Sequence, residues 1–128
     1  MTTDLSLLVW ACVLTFVQAI VASVGVSRQV GLPVLAGNRE NLPAATGWAG
    51  RAQRAHRNML ENLVLFAALV LVAQVAGKAN ATTALGAQLF FWGRLIYAPV
   101  YIAGIPWLRT GVWAVSLAGL VLILFQIV

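Results

Sequence analysis

Four stretches of the chain are apolar with little interruption, and they settle its class before any other feature. Leu5 to Val26 carries no charge and reaches the ~20 residues that an α-helix needs to cross a bilayer. A second apolar run extends from Met59 to Ala76, and its helix is expected to begin earlier, near Ala44 or Ala45, behind Pro43. That makes a helix of roughly 30 residues, about 45 Å long, with its first turns outside the hydrocarbon. Gly77-Lys78-Ala79-Asn80 reads as a turn, with Thr82 or Thr83 near the next helix start. The third run ends near Ala103, where Gly104-Ile105-Pro106 breaks it, and Trp107 to Val128 is the fourth. The longest connection, Ser27 to Ala44, contains Gly31, Pro33, Gly37 and Pro43, which suits an irregular loop. The expected fold is a single domain over residues 1–128: an all-α membrane protein, a four-transmembrane-helix antiparallel bundle. Its spans fall at about 5–26, 59–76, 82–103 and 107–128.

Composition agrees with this pattern. The chain is 62% hydrophobic and 9% charged, against about a quarter charged in soluble domains, so most of its surface must meet lipid. A net charge of +5 would point to nucleic acid in a soluble protein. Here the few basic residues sit between apolar spans, so they act as topology signals and as a local site, and nucleic acid is not an expected partner. Arg28, Arg39, Arg51, Arg54, Arg57, Arg94 and Arg109 lie on or toward the side of the first and third loops, while Lys78 lies opposite. The positive-inside rule then places those loops in the cytoplasm and both termini outside. No positive n-region precedes the first run, so it is expected to remain as a span rather than be cleaved. One cysteine, Cys12, and one histidine, His56, lie far apart, which suggests neither a disulfide nor a metal site.

The densest chemistry lies in Arg51-Ala-Gln-Arg-Ala-His-Arg-Asn-Met-Leu-Glu-Asn62. At about 100° per residue, Arg54, Arg57, Asn58 and Glu61 share an arc of roughly 100°, with Arg51 at its edge and His56 on the opposite side. Snorkelling to lipid headgroups accounts well for Arg51 and poorly for Glu61, since an unpaired carboxylate at the lip of a span costs ~2–3 kcal/mol. An i,i+4 pair of Arg57 with Glu61 is the structural alternative. His56, pointing away, is read as a structural hydrogen-bonding residue.

On the third helix Arg94, Tyr97 and Tyr101 stand at i, i+3 and i+7, within about 60° of one face. An arginine that deep needs a partner: Glu61, a ligand carboxylate or a neighbouring subunit. Pro99 between the tyrosines is expected to kink the helix. Arg109 falls in the first turn of the fourth helix, where the macrodipole is already positive, so it adds to a field that stabilises an anion such as a thiolate. A thiol of pKa about 8.5 needs only ~1.4 kcal/mol per unit of downward shift.

Arg54-Ala-His-Arg-Asn58 followed by Glu61-Asn62 resembles the signature of the MAPEG family, the membrane-associated proteins of eicosanoid and glutathione metabolism. The Arg94-x-x-Tyr97-x-x-x-Tyr101 face and Arg109-Thr110 resemble its third and fourth helices, and the likeness covers the whole chain. It implies a homotrimer that binds glutathione as co-substrate between neighbouring subunits near the cytoplasmic face. By the same resemblance Arg57, Asn58 and Glu61 hold glutathione, Glu61 taking its amino group, and Arg54 helps. Tyr97 and Tyr101 line the site with support from Arg94. Arg109 activates the thiol, Thr110 stands where some members have serine, and Arg28 is the residue of the first helix in place to reach the site. Two carboxylates and one ammonium on glutathione call for several cations and one acid, which this chain supplies.

The implied function is a membrane-bound glutathione transferase, with glutathione-dependent peroxidase activity as a second chemistry. Its thiolate would attack an apolar electrophile or lipid hydroperoxide arriving from membrane lipid. Brevity and topology suggest a bacterial member, in the inner membrane. Asn41, at the end of Asn38-Arg39-Glu40-Asn41, and Trp113 stand where prostaglandin-synthesising members carry an acid and a tyrosine, which argues against that activity. The alternative is a non-catalytic, lipid-binding scaffold of the same family. A small multidrug transporter, similar in length, is disfavoured because its first helix would carry a glutamate and this one offers Thr15, Gln18 and Ser23.

Overall fold

The computed structural model describes residues 1–40 and 42–128; Asn41 lies outside the described residues. Four long helices and one short one account for the architecture: α1 (Thr3–Val30), α2 (Leu32–Ala36), α3 (Gly47–Val75), α4 (Ala81–Ala103) and α5 (Pro106–Ile127). Each boundary has a local cause. Thr2 caps α1, its hydroxyl accepting from the Leu5 N–H at 3.3 Å. Asn80 opens α4 with a reciprocal capping box, accepting from the Thr83 N–H at 3.0 Å while its own N–H donates to Thr83 Oγ1 at 2.8 Å. Gly104 closes α4 in the left-handed conformation, φ 80°, and Pro106 starts α5, where its missing N–H costs nothing.

Three sequence expectations shift. The helix expected from Ala44 or Ala45 starts at Gly47, and α1 continues past Val26 to Val30 because Ser27, Arg28 and Gln29 do not end a helix. The connection expected to be irregular contains α2, whose Pro33 sits in the first turn and so is tolerated. α4 continues through Pro99 to Ala103 as one helix.

Close contacts give the relative directions. Gly25 of α1 lies against Trp48 and Ala49 at the start of α3, while Gln74 at its end donates to Thr2 Oγ1 at 3.1 Å. Phe66 of α3 stacks on Phe90 of α4, centroids 4.1 Å apart, and Arg51 Nε donates to the Ile102 carbonyl at 2.8 Å. Gly86 and Gly93 of α4 meet Gly119 and Ser116 of α5. Neighbouring helices therefore run antiparallel. A side chain at Gly86 would come within 2.6 Å of the Gly119 carbonyl, so α4 and α5 approach as closely as backbones allow. The core is built from Ala11, Met59, Phe66, Val70, Ala87, Phe90, Leu120 and Ile123.

Large apolar side chains also cover the outside of every long helix, among them Phe16, Val64, Trp92 and Phe125. Helices apolar on both faces belong in lipid. Three of them, α1, α3 and α5, are long and apolar enough to cross a membrane. α4, with 23 residues, has the length but is diluted by Gln88, Arg94, Tyr97 and Tyr101.

Candidate functional site

The loop-side ends of the long helices gather into one basic end. Gln29 of α1 clamps the approach to α3, its amide donating to the Thr46 carbonyl at 2.8 Å and accepting from the Thr46 N–H at 2.9 Å. Arg51 ties the start of α3 to the end of α4 through the Ile102 carbonyl and lies under Gly104. Arg51, read from sequence as a snorkelling residue, is thus an interhelical tie. Nothing in its local sequence signals a partner 51 residues away.

Inside the bundle a column of two rings between two cations rises along α4 to α5. The Arg94 guanidinium carbon lies 4.1 Å from the centroid of the Tyr97 ring. Tyr97 meets Tyr101 edge-on, centroids 5.5 Å apart, and Arg109 lies 4.6 Å from the Tyr101 ring. Helical spacing explains the order, since positions 94, 97 and 101 share the inward face of α4. Arg94 is 1% exposed and Tyr97 is 4% exposed, so the lower half of the column is closed off from solvent within one protomer. Among the described residues Nε, Nη1 and Nη2 of Arg94 have no hydrogen-bond partner, and Gln18 Oε1 on α1 is likewise buried and unpartnered. Of the partners expected for Arg94, the protomer supplies the face of Tyr97 and no carboxylate within hydrogen-bond distance.

The stripe on α3 has the opposite orientation. Ala52, Ala55, Met59 and Phe66 point to the core, and the arc of Arg54, Arg57 and Glu61 is turned roughly 160° from them. All three charged residues are exposed. Asn58, half-buried at the edge of the arc toward α4, accepts at Oδ1 from Asn62 Nδ2 at 3.2 Å. A single chain therefore brings Arg94, Tyr97, Tyr101 and Arg109 together and leaves Arg54, Arg57 and Glu61 on its outer surface. Arg28 is exposed at the end of α1, and Thr110 is exposed, its hydroxyl donating to the Pro106 carbonyl at 3.2 Å.

His56 lies on the α1 side of α3, away from the arc as expected, and lines a cavity there together with Gln53, Arg57 and Arg39. The sequence reading gave Arg39 no role beyond topology, because its approach to α3 depends on the path of the loop. Among the described residues no group of three or more His, Cys, Asp or Glu side chains comes together as metal ligands would.

Charge gathered at one end of helices that are otherwise made for lipid defines an integral membrane protein with several helices long and apolar enough to span. A family model described as the MAPEG family matches residues 5–128, and the chain belongs to that family. Membership carries glutathione- or eicosanoid-type chemistry at the level of the family, which includes glutathione transferases and also non-catalytic members. No curated protein and no solved structure matches the chain.

Proposed function

We propose that this protein is a membrane-bound glutathione transferase, with peroxidase activity as a second chemistry, acting as a homotrimer whose four long helices all cross the inner membrane. The observation that carries the reading is the outward turn of Arg54, Arg57 and Glu61 on α3, a helix otherwise apolar enough to span a bilayer. Charges on such a surface are costly against lipid and call for a polar cover. Two further copies of the chain would provide one, setting the stripe of one protomer beside the Tyr101–Arg109 end of its neighbour.

Glutathione fits the charges that such an arrangement collects. Arg57 and Arg54 would take its carboxylates, Glu61 its ammonium and Asn58 a backbone amide. Tyr101 would wall the site, supported from behind by the buried Tyr97 and Arg94, with Thr110 and Arg28 at its margin and the loop side of the bundle facing the cytoplasm. Arg109, at the start of α5, adds its charge to the positive end of the helix, and together they favour the thiolate over the thiol. The thiolate sulfur would then form a bond to an electrophilic carbon as the leaving group departs with its electron pair. With a hydroperoxide, the sulfur would instead bond to the terminal oxygen as the O–O bond breaks and the alcohol leaves, and a second glutathione thiol would displace water from the resulting sulfenic acid to give the disulfide.

Calorimetry of the detergent-solubilised protein with glutathione tests the reading. Arg57→Ala and Glu61→Gln are each expected to weaken binding by ~1.5–3 kcal/mol, the scale of a charge-assisted hydrogen bond. Absence of glutathione binding by the native protein would remove the proposal. Binding without turnover of a nitroaryl chloride or a lipid hydroperoxide would point to the non-catalytic scaffold.

A further inference from the structure

α4 ends on a carbonyl that its own chain cannot satisfy. The Val100 and Tyr101 carbonyls accept from the Ile105 and Gly104 N–H groups at 3.2 and 3.0 Å. For Ile102 the donor four residues on would be Pro106, which has no N–H. Arg51, in the second turn of α3, fills that place with its Nε at 2.8 Å. Its guanidinium also lies against Gly104, with Nε and Cζ 3.4 and 3.6 Å from where a side chain there would begin. A cation at a helix C-terminus is favoured by the macrodipole as well.

What Arg51 holds is the corner that carries Arg109. Gly104 turns the chain in the left-handed conformation, Pro106 opens α5, and the Arg109 N–H donates to the Ile105 carbonyl at 3.2 Å. Gly104, Ile105, Pro106, Trp107 and Leu108 are all exposed, so little of the protomer's packing bears on the corner. Among the described residues the Arg51 bond is the only side-chain hydrogen bond that joins it to α3. Tyr101 and Arg109 stand on either side of the corner and meet across it, 4.6 Å from guanidinium carbon to ring centroid. The tied residue, Ile102, is the immediate neighbour of Tyr101.

We propose that Arg51 is a positioning residue: by holding the Ile102 carbonyl and lying against Gly104 it fixes the α4–α5 corner, and through it the place of Arg109 above Tyr101. The inference rests on the transferase reading, in which Arg109 favours the thiolate, and adds a residue that itself touches no substrate. A small displacement is enough to matter, since a charge misplaced by about 1 Å loses much of its effect on a reacting group.

The experiment is a spectrophotometric pH titration of the thiolate of glutathione bound to the full-length protein in detergent. Calorimetry with S-methylglutathione, which has no thiol to ionise, reads binding separately. Arg51→Gln is expected to raise the thiolate midpoint by about one pH unit, a tenfold loss in ionisation, while S-methylglutathione affinity stays within about twofold. With Arg109→Ala already in place, adding Arg51→Gln should shift the midpoint no further, because the two act through one contact. If Arg51→Gln does not keep its helicity, Arg51→Lys, which retains the charge without the planar fork, gives the same test with a smaller expected shift. A native midpoint in the variant, or a further shift of similar size in the double variant, overturns the proposal. So does a loss of S-methylglutathione binding as large as the loss of ionisation, which would mark a general structural role. A native protein that binds neither glutathione nor S-methylglutathione removes the transferase reading and this role with it; a native thiolate that ignores Arg51→Gln removes this role alone.

Discussion

Helices α3 and α4 both carry arginine into an apolar setting, and they solve the problem in opposite ways. On α4 the charge turns inward. Arg94 is 1% exposed, rests on the face of Tyr97 and has three unpartnered nitrogens. A desolvated cation–π contact returns about 2 kcal/mol, against a burial penalty of several kcal/mol. Arg94 is therefore held in place by the packing around it, including the Phe66–Phe90 stack one turn away. On α3 the charge turns outward, where Arg54, Arg57 and Glu61 leave the protomer's own packing undisturbed and make their demands on what covers them. The inward charge is met by the protomer's own packing; the outward charges are free for the neighbour and ligand of the proposed assembly.

The comparison can be broken most forcefully at the seam that holds the column in place. Gly86→Leu would drive a side chain into the Gly119 carbonyl and separate α4 from α5. We expect a loss of about 3 kcal/mol in a helicity melt in detergent, as for an overpacked core. An unchanged melt would mean that the two helices can part without consequence.

Replacing Arg94 by Met should act in the other direction. Removing an uncompensated buried charge and filling its space with an apolar chain is expected to stabilise the fold by ~1–2 kcal/mol. Glutathione affinity should fall in the same variant. A lower melting midpoint would show that Arg94 has a partner in the assembled protein that the single chain does not supply.

The smallest effect on stability belongs to the stripe. Arg54→Gln and Glu61→Gln should each move the same melt by less than ~0.5 kcal/mol, as exposed substitutions do. A fall as large as that of the seam variant would show that the stripe holds the fold together instead of serving a binding surface.

Much of this was legible from residue order because it is local. The apolar runs gave the long helices, the Gly104-Ile105-Pro106 break gave the corner between α4 and α5, and helical spacing gave both the stripe and the Arg94–Tyr97–Tyr101 face. α2 was hidden because Gly31, Pro33 and Gly37 read as breakers, although a proline in a first turn does not break a helix. The tie from Arg51 to Ile102, the Gln29 clamp on Thr46 and the cavity lined by both Arg39 and Arg57 join residues distant in sequence. They depend on how the helices are assembled, and periodicity carries no information about that. The inward burial of Arg94 was ambiguous for the same reason, since spacing identifies a face but not what lies against it.

The central claim is that Arg109, above Tyr101 at the start of α5, turns bound glutathione into its thiolate. An ultraviolet difference spectrum of the purified protein with and without glutathione at neutral pH measures this directly. The native protein should give thiolate absorbance, and Arg109→Ala should lose it while keeping its helicity. Native protein that binds glutathione with no thiolate band, or a band that survives Arg109→Ala at full height, would contradict the account.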